Sequence, residues 1–173
     1  MSSSSPCPTS LCGVWQQDSS KCESLCPLLA GLGMPKALQY IACPIADRTR
    51  TTLRISCPET GTVEIVDKTA FGRNATRVPL DGSESERLTR AKKKPFMLSA
   101  SGSEELSVLT CRLVSRGPGW YTRQERFLSE TQRDANGEPM LVDRHVLVRP
   151  DEPDVVITRH FTKSKDEDLR PSA

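Results

Sequence analysis

From about residue 50 onward, apolar and polar positions alternate with period two in short runs separated by turn residues. Leu53 and Ile55 alternate with polar neighbours across 51–56, and Val63 and Ile65 do the same across 62–66. Further runs cover 69–80, 86–90, 96–100, 106–113, 120–130, 140–148 and 155–163. Between them stand Pro58-Glu59-Thr60-Gly61, Asp81-Gly82, Ser101-Gly102, Gly117-Pro118-Gly119 and Asn136-Gly137, residues that tight turns require. Short strands at this spacing predict an antiparallel β-barrel or sandwich.

The first third reads differently. A short strand opens at Gly13 and carries Val14 and Trp15. Ser20-Lys21-Cys22-Glu23 then has the spacing of a helix capping box, and Leu25, Leu28 and Leu29 follow at helical intervals. Pro27, Gly31 and Gly33 break this first helix, and Pro35 suits the first turn of a second, running roughly over 35–42. Residues 1–11, rich in Ser and Pro, are expected to form a flexible leader, and 164–173 a charged flexible tail. The span 12–163 is expected to be one domain, without linker or repeat.

The strands carry polar residues on both faces. In the 120–130 run, Trp120, Thr122, Gln124, Arg126 and Leu128 share one side, while Tyr121, Arg123, Glu125, Phe127 and Ser129 share the other. A sandwich strand normally presents one clean apolar face. A barrel around a wet or ligand-filled space accepts polar residues inside, because water or ligand satisfies them. The pattern therefore favours a cavity-containing barrel.

Composition narrows the function classes. Hydrophobic residues make up 36% and charged residues 27%, which excludes a membrane-embedded or compositionally disordered chain. Lys and Arg number 24 against 22 acids, so there is no broad positive surface for nucleic acid. The basic run at 90–94 reads as a solvated hairpin end. No signal peptide is legible in the opening residues, and no run approaches the roughly 18 apolar residues of a membrane span. The expected location is the cytoplasm.

There most of the seven cysteines would be free thiols packed as small hydrophobes, with Cys22 and Cys26 sharing one face of the first helix. No pairing of cysteines and histidines has zinc-site spacing, so no metal or other cofactor is expected. His145 and His160 read as ordinary strand residues, and Asn74-Ala75-Thr76 as a glycosylation pattern that a cytosolic chain does not use. No Ser-His-Asp context, P-loop or dinucleotide-binding glycine pattern suggests catalysis.

The order of these elements resembles the cytosolic fatty-acid-binding proteins, within the calycin superfamily. Gly13-x-Trp15, a helix-turn-helix, and a run of antiparallel strands ending in Thr158-Arg159-His160-Phe161 follow that family's plan over roughly 12–163. Leu32-Gly33-Met34-Pro35 stands where the family often has a glycine-containing turn, and the 61–74 stretch, with Phe71 before a polar turn, resembles a strand pair of the family. The secreted lipocalins share the Gly-x-Trp opening but place no helical pair after the first strand. The resemblance implies an up-and-down β-barrel of about ten strands, with a short helical lid after the first.

It also implies a binding protein rather than an enzyme, carrying a fatty acid or similar amphiphile. The family often holds a ligand carboxylate with two arginines and a tyrosine. The terminal Arg-x-Tyr pattern falls on Arg159 and Phe161, and the second arginine falls on Arg126, which shares a face with Gln124. A guanidinium offers paired donors that match a carboxylate, and a low-dielectric cavity strengthens the contact. Phe161 lacks the tyrosine hydroxyl, which points toward a different ligand head group. A competing arrangement pairs both arginines with strand acids such as Glu125 or Asp143 outside the barrel. The alternative function is a structural barrel that has lost its ligand and packs against protein partners in a larger assembly.

Overall fold

The computed structural model describes residues 7–70, 72–88, 95–103, 107–115 and 119–164. Phe71, the basic run at 90–94, the Gly117-Pro118 pair, the first six residues of the expected leader and residues 165–173 of the expected tail lie outside these.

Ten strands form one antiparallel sheet: β1 (Gly13–Gln17), β2 (Thr52–Glu59), β3 (Thr62–Thr69), β4 (Gly72–Pro79), β5 (Ser85–Leu88), β6 (Pro95–Ser103), β7 (Val108–Ser115), β8 (Tyr121–Arg133), β9 (Pro139–Arg149) and β10 (Glu152–Lys163). Their order is β4-β3-β2-β1-β10-β9-β8-β7-β6-β5, so sequence neighbours pair except β4 and β5, which stand at the two ends, and β1 joins β10. The two ends meet where the segment after β4 reaches β6, through an Asp81–Ser101 bridge and a 3.0 Å bond from the Gly82 amide to the Ala100 carbonyl. The result is a nearly closed barrel. Closure removes most of the unpaired strand edge that an open sheet would leave exposed.

Register sorts the side chains into inside and outside. Trp15 faces Leu53, Ile55 faces Ile65, Val63 faces Val78, Ala100 faces Cys111, and Leu141 faces both Leu128 and Phe161. Because side chains alternate with period two, every residue in register with these shares the interior face. The apolar members form one continuous buried cluster running from Leu11 to Phe161. Trp15 and Phe161 are among the largest fully buried side chains, each worth about 1.5–3 kcal/mol of burial. The Trp15 indole N–H also donates to the Leu11 carbonyl at 2.8 Å.

That bond draws in the preceding residues. Thr9–Leu11 form a 3-10 turn, and Leu11 is completely buried, although residues 7–11 fall within the expected leader. At the far end of the core, the Ser164 amide donates to the Val14 carbonyl at 2.8 Å.

Between β1 and β2 lie two helices, α1 (Cys26–Gly31) and α2 (Lys36–Arg48). Both differ in extent from the sequence expectation. The Ser20 capping box does not form: Asp18 caps a 3-10 turn at Ser19–Lys21, and Glu23 instead accepts the Thr158 amide on β10. Helix α2 continues six residues past Ala42, through Pro44. The missing proline N–H removes one intrahelical bond. Holding the extra turn in place, Asp47 accepts the Leu25 amide at 3.0 Å and the Ser24 hydroxyl at 2.6 Å, so the end of α2 caps the start of α1. No described helix is long and apolar enough to cross a membrane.

The cysteine expectation needs correction. Cys7 bonds to Cys57 and Cys26 to Cys43, with Cα separations of 6.4 and 5.3 Å. The four were expected as free thiols because spacing alone does not show that β2 meets the N-terminal turn or that α1 lies on α2. Nor do Cys22 and Cys26 share a helix face: Cys22 precedes α1, and its sulfur accepts the His160 amide at 3.3 Å.

These contacts predict that Trp15→Phe, which keeps an aromatic ring but loses the N–H donor to Leu11 and some buried volume, lowers unfolding free energy by at least roughly 1–3 kcal/mol. Urea unfolding followed by far-UV circular dichroism measures it, with the folded spectrum unchanged.

Candidate functional site

A band of polar side chains crosses the barrel between two apolar regions. On one side lies the large cluster around Trp15 and Phe161; on the other, a smaller one holds Leu28 of α1 against Leu147 and Ile157, with Trp120 and Val155 at its edge. Register builds the band. Arg126 on β8 faces Asp143 on β9, and Asp143 faces Arg159 on β10. Gln124 and His145 form the adjoining row. Gln17, two residues beyond Trp15, completes the band on β1.

Arg126, Asp143, Arg159 and Gln17 are all at least nine-tenths buried, with exposures of 5%, 5%, 6% and 3%. Asp143 is the hub. Arg126 Nε lies 3.4 Å from its Oδ1, close enough for charge attraction though not aligned as a hydrogen bond. Gln124 Nε2 donates to both carboxylate oxygens at 2.8 and 2.9 Å. His145 Nε2 sits 3.2 Å from Oδ2. Burial alone would raise the Asp143 pKa. The Arg126 guanidinium beside it, helped by His145 and Gln124, outweighs burial and holds the carboxyl well below the usual carboxylate range.

Arg159 is held differently. Its Nη2 donates to Gln17 Oε1, which also accepts the Thr51 amide at 3.0 Å. A neutral amide oxygen therefore supports one guanidinium, and an ionised carboxylate supports the other. Three buried donors in this band, Arg126 Nε, Arg159 Nε and Gln17 Nε2, have no hydrogen-bond partner among the described residues. A buried donor without an acceptor costs about 1–3 kcal/mol. Across the barrel on β3, Asp67 shares the interior register with Leu53 and accepts from Asn74 at 3.4 Å. Burial pushes its carboxyl pKa up, against the pull of Asn74 and Arg126.

All four residues singled out from sequence thus lie on the interior face: Arg126 and Gln124 around Asp143, Arg159 against Gln17, and Phe161 beneath them in the apolar cluster. Of the competing arrangement, the Arg126–Asp143 pairing does form, but on the interior face rather than outside the barrel. Glu125 does face outward, where it pairs with Arg123 at 3.0 Å. Asp143, Gln17, His145 and Asp67 were not anticipated as part of this band. Period two from Leu141 to Leu147 places Asp143 and His145 between inward leucines, and the same count from Trp15 finds Gln17. The inward position of Asp67 depends on β3 register, which local sequence does not specify.

Between α1 and α2 lies an open cleft of about 470 Å³ lined by Cys26, Lys36, Gln39, Tyr40, Cys43 and Pro44. On another side of α2, Leu38, Ile41 and Ile45 lie largely uncovered at 54%, 65% and 42% exposure.

No family model matches the chain, and no curated protein matches it. Solved structures do. Fatty-acid-binding protein 1 of Echinococcus granulosus superposes with a TM-score of 0.63 at 14% identity, covering 90% of this chain and 98% of that one. The Schistosoma mansoni fatty-acid-binding protein in complex with arachidonic acid gives 0.64 at 14%, covering 91% and 98%. The fluorescent protein UnaG gives 0.63 at 19%, covering 90% and 98%. The chain has the fold of the fatty-acid-binding proteins, a calycin-like barrel.

The buried pair predicts an asymmetric response to mutation. Asp143→Leu strands the Arg126 charge and lowers stability by about 3–5 kcal/mol, whereas Arg126→Leu combined with Asp143→Leu recovers most of that loss. Urea unfolding of the two variants and the wild type gives the comparison.

Acid adds a second signature. A depressed folded-state pKa stabilises the chain above the unfolded carboxyl value of about 3.9, and that contribution fades as pH falls below it. The stability gap between wild type and Asp143→Asn is therefore constant at neutral pH and narrows below about pH 4.

Proposed function

We propose that this barrel reversibly binds a small, largely apolar molecule whose polar end accepts hydrogen bonds from the Arg126–Arg159–Gln17 band. The observation that carries this reading is the set of three buried donors without acceptors among the described residues, gathered on one level of a barrel interior. Ligand pockets typically combine an apolar wall with a few convergent polar groups that fix orientation. The Trp15–Phe161 cluster supplies the wall, and the band supplies the donors.

A fatty acid or a related amphiphile has the required form, and the fold is one in which a neighbouring structure holds arachidonic acid. The charge balance refines the choice. Arg126 already faces an ionised carboxylate, so Arg159, with only a neutral amide against its Nη2, is the arginine with charge to spare. The head group is therefore placed beside Arg159 and Gln17, with Gln124 and Arg126 completing the polar level. Phe161 contributes apolar contact and no hydroxyl. The helical lid supplies the route in, and the uncovered Leu38, Ile41 and Ile45 on α2 give a ligand tail an apolar surface along it. Reversible capture of this kind suits storage or carriage and needs no chemical step.

Titration of the delipidated chain with an environment-sensitive anionic probe such as anilinonaphthalene sulfonate, followed by displacement with long-chain fatty acids, alcohols and amides, tests the reading. Saturable one-to-one binding is expected. Arg159→Leu weakens the acidic ligands by roughly 1.5–3 kcal/mol, more than tenfold, and the uncharged ones less. A folded sample that binds no long-chain amphiphile contradicts the proposal.

A further inference from the structure

Away from the polar band, at the edge of the apolar core, three cysteines converge where the N-terminal turn meets β2. Cys7 and Cys12 flank the Thr9–Leu11 turn, and Cys57 comes from β2, so the site joins segments about 50 residues apart in sequence. The three sulfurs all lie within 4.8 Å of one another, and each residue is partly buried. Cys12 Sγ sits 3.5 Å from Cys57 Sγ. The turn is held in place from both directions: Leu11 is fully buried and accepts the Trp15 indole N–H, and the Leu11 and Cys12 amides bond back to Pro8 and Thr9 at 3.0 Å. A disulfide needs two sulfurs, and here a third is fixed against the pair.

We propose that Cys7, Cys12 and Cys57, when reduced, form a three-thiolate site for a soft monovalent cation, Cu(I). Thiolates select soft metals, and the number of donors decides among those. A structural zinc ion takes four ligands, and no fourth His, Cys, Asp or Glu joins the trio among the described residues. Cu(I) is satisfied by three sulfurs in a trigonal arrangement. Partial burial shields such an ion while leaving it a path from solvent.

Binding releases the protons of the coordinating thiols to solvent and leaves the copper oxidation state unchanged. The Cys7–Cys57 disulfide and the metal site are mutually exclusive. Two small-molecule thiols convert one into the other by donating two electrons, becoming a disulfide themselves while Cys7 and Cys57 become thiols. Cys26–Cys43 lies elsewhere, between the two helices.

Anaerobic titration of the reduced full-length chain with Cu(I), in competition with a chromophoric Cu(I) chelator, tests the site. The expected result is a single strongly bound Cu(I) per chain, ultraviolet thiolate-to-metal absorption, and protection of Cys7, Cys12 and Cys57 from alkylation. Cys12→Ser should weaken binding by at least roughly 100-fold, more than the loss of an outer-shell contact, while Cys22→Ser leaves it unchanged. Circular dichroism of both variants checks that the fold is retained. Stoichiometric binding that Cys12→Ser does not weaken overturns the proposal, as does a folded, fully reduced chain that takes up no Cu(I). Peptide mapping that finds Cys57 shared between Cys7 and Cys12 in disulfides, with no Cu(I) uptake after reduction, overturns it as well.

Discussion

An ionised aspartate in the middle of a β-barrel must be compensated from within. Asp143 meets that requirement with the Arg126 guanidinium and the Gln124 amide, both on the neighbouring strand β8. The arrangement depends on strand register: shifting β8 by one residue against β9 would turn Arg126 and Gln124 outward and deprive the carboxylate of both. The buried pair is thus tied to one β8–β9 register. Its net energetic worth is small, because desolvation consumes much of the Coulombic attraction. Breaking only one half of it is what costs.

The consequences run outward from that level. Because Asp143 occupies Arg126, the second arginine relies on Gln17, and the band keeps donors without a hydrogen-bond partner among the described residues. Apolar residues seal the barrel below the band, and Leu28 of α1 closes it from above. The lid is stiffened by the Cys26–Cys43 bond and the Asp47 cap rather than by broad packing on the strands, and α2 keeps an uncovered apolar side. An apolar base, a polar middle with donors unpaired among the described residues and a helical pair above them stack in that order along the barrel.

Much of this was legible in the sequence, for local reasons. Alternation with period two identified strands such as β2, β3 and β9, and turns such as Asn136-Gly137 fixed their order; Gly137 indeed adopts the positive φ of 82° that its turn requires. The same period placed Gln124, Arg126, Arg159 and Phe161 on their faces. What escaped was non-local. Helix α2 runs past Pro44 because Asp47 finds its partners 22 and 23 residues earlier. The Cys7–Cys57 bond spans 50 residues, and its partners could be paired only once β2 was known to lie beside the N-terminal turn. Asp143 was legible as an acid within an apolar strand, but whether it faced inward depended on the barrel's overall closure.

The central claim is that the polar band exists to receive a ligand. Mass spectrometry of small molecules extracted from the natively purified chain tests it most directly. The account predicts an apolar molecule with a hydrogen-bond-accepting end, present at up to one per chain and depleted when Arg159 and Gln17 are both replaced by leucine in a protein that still folds. Equal recovery of that molecule from the double variant, or a wild-type chain that carries nothing and takes up nothing when offered amphiphiles, would contradict it.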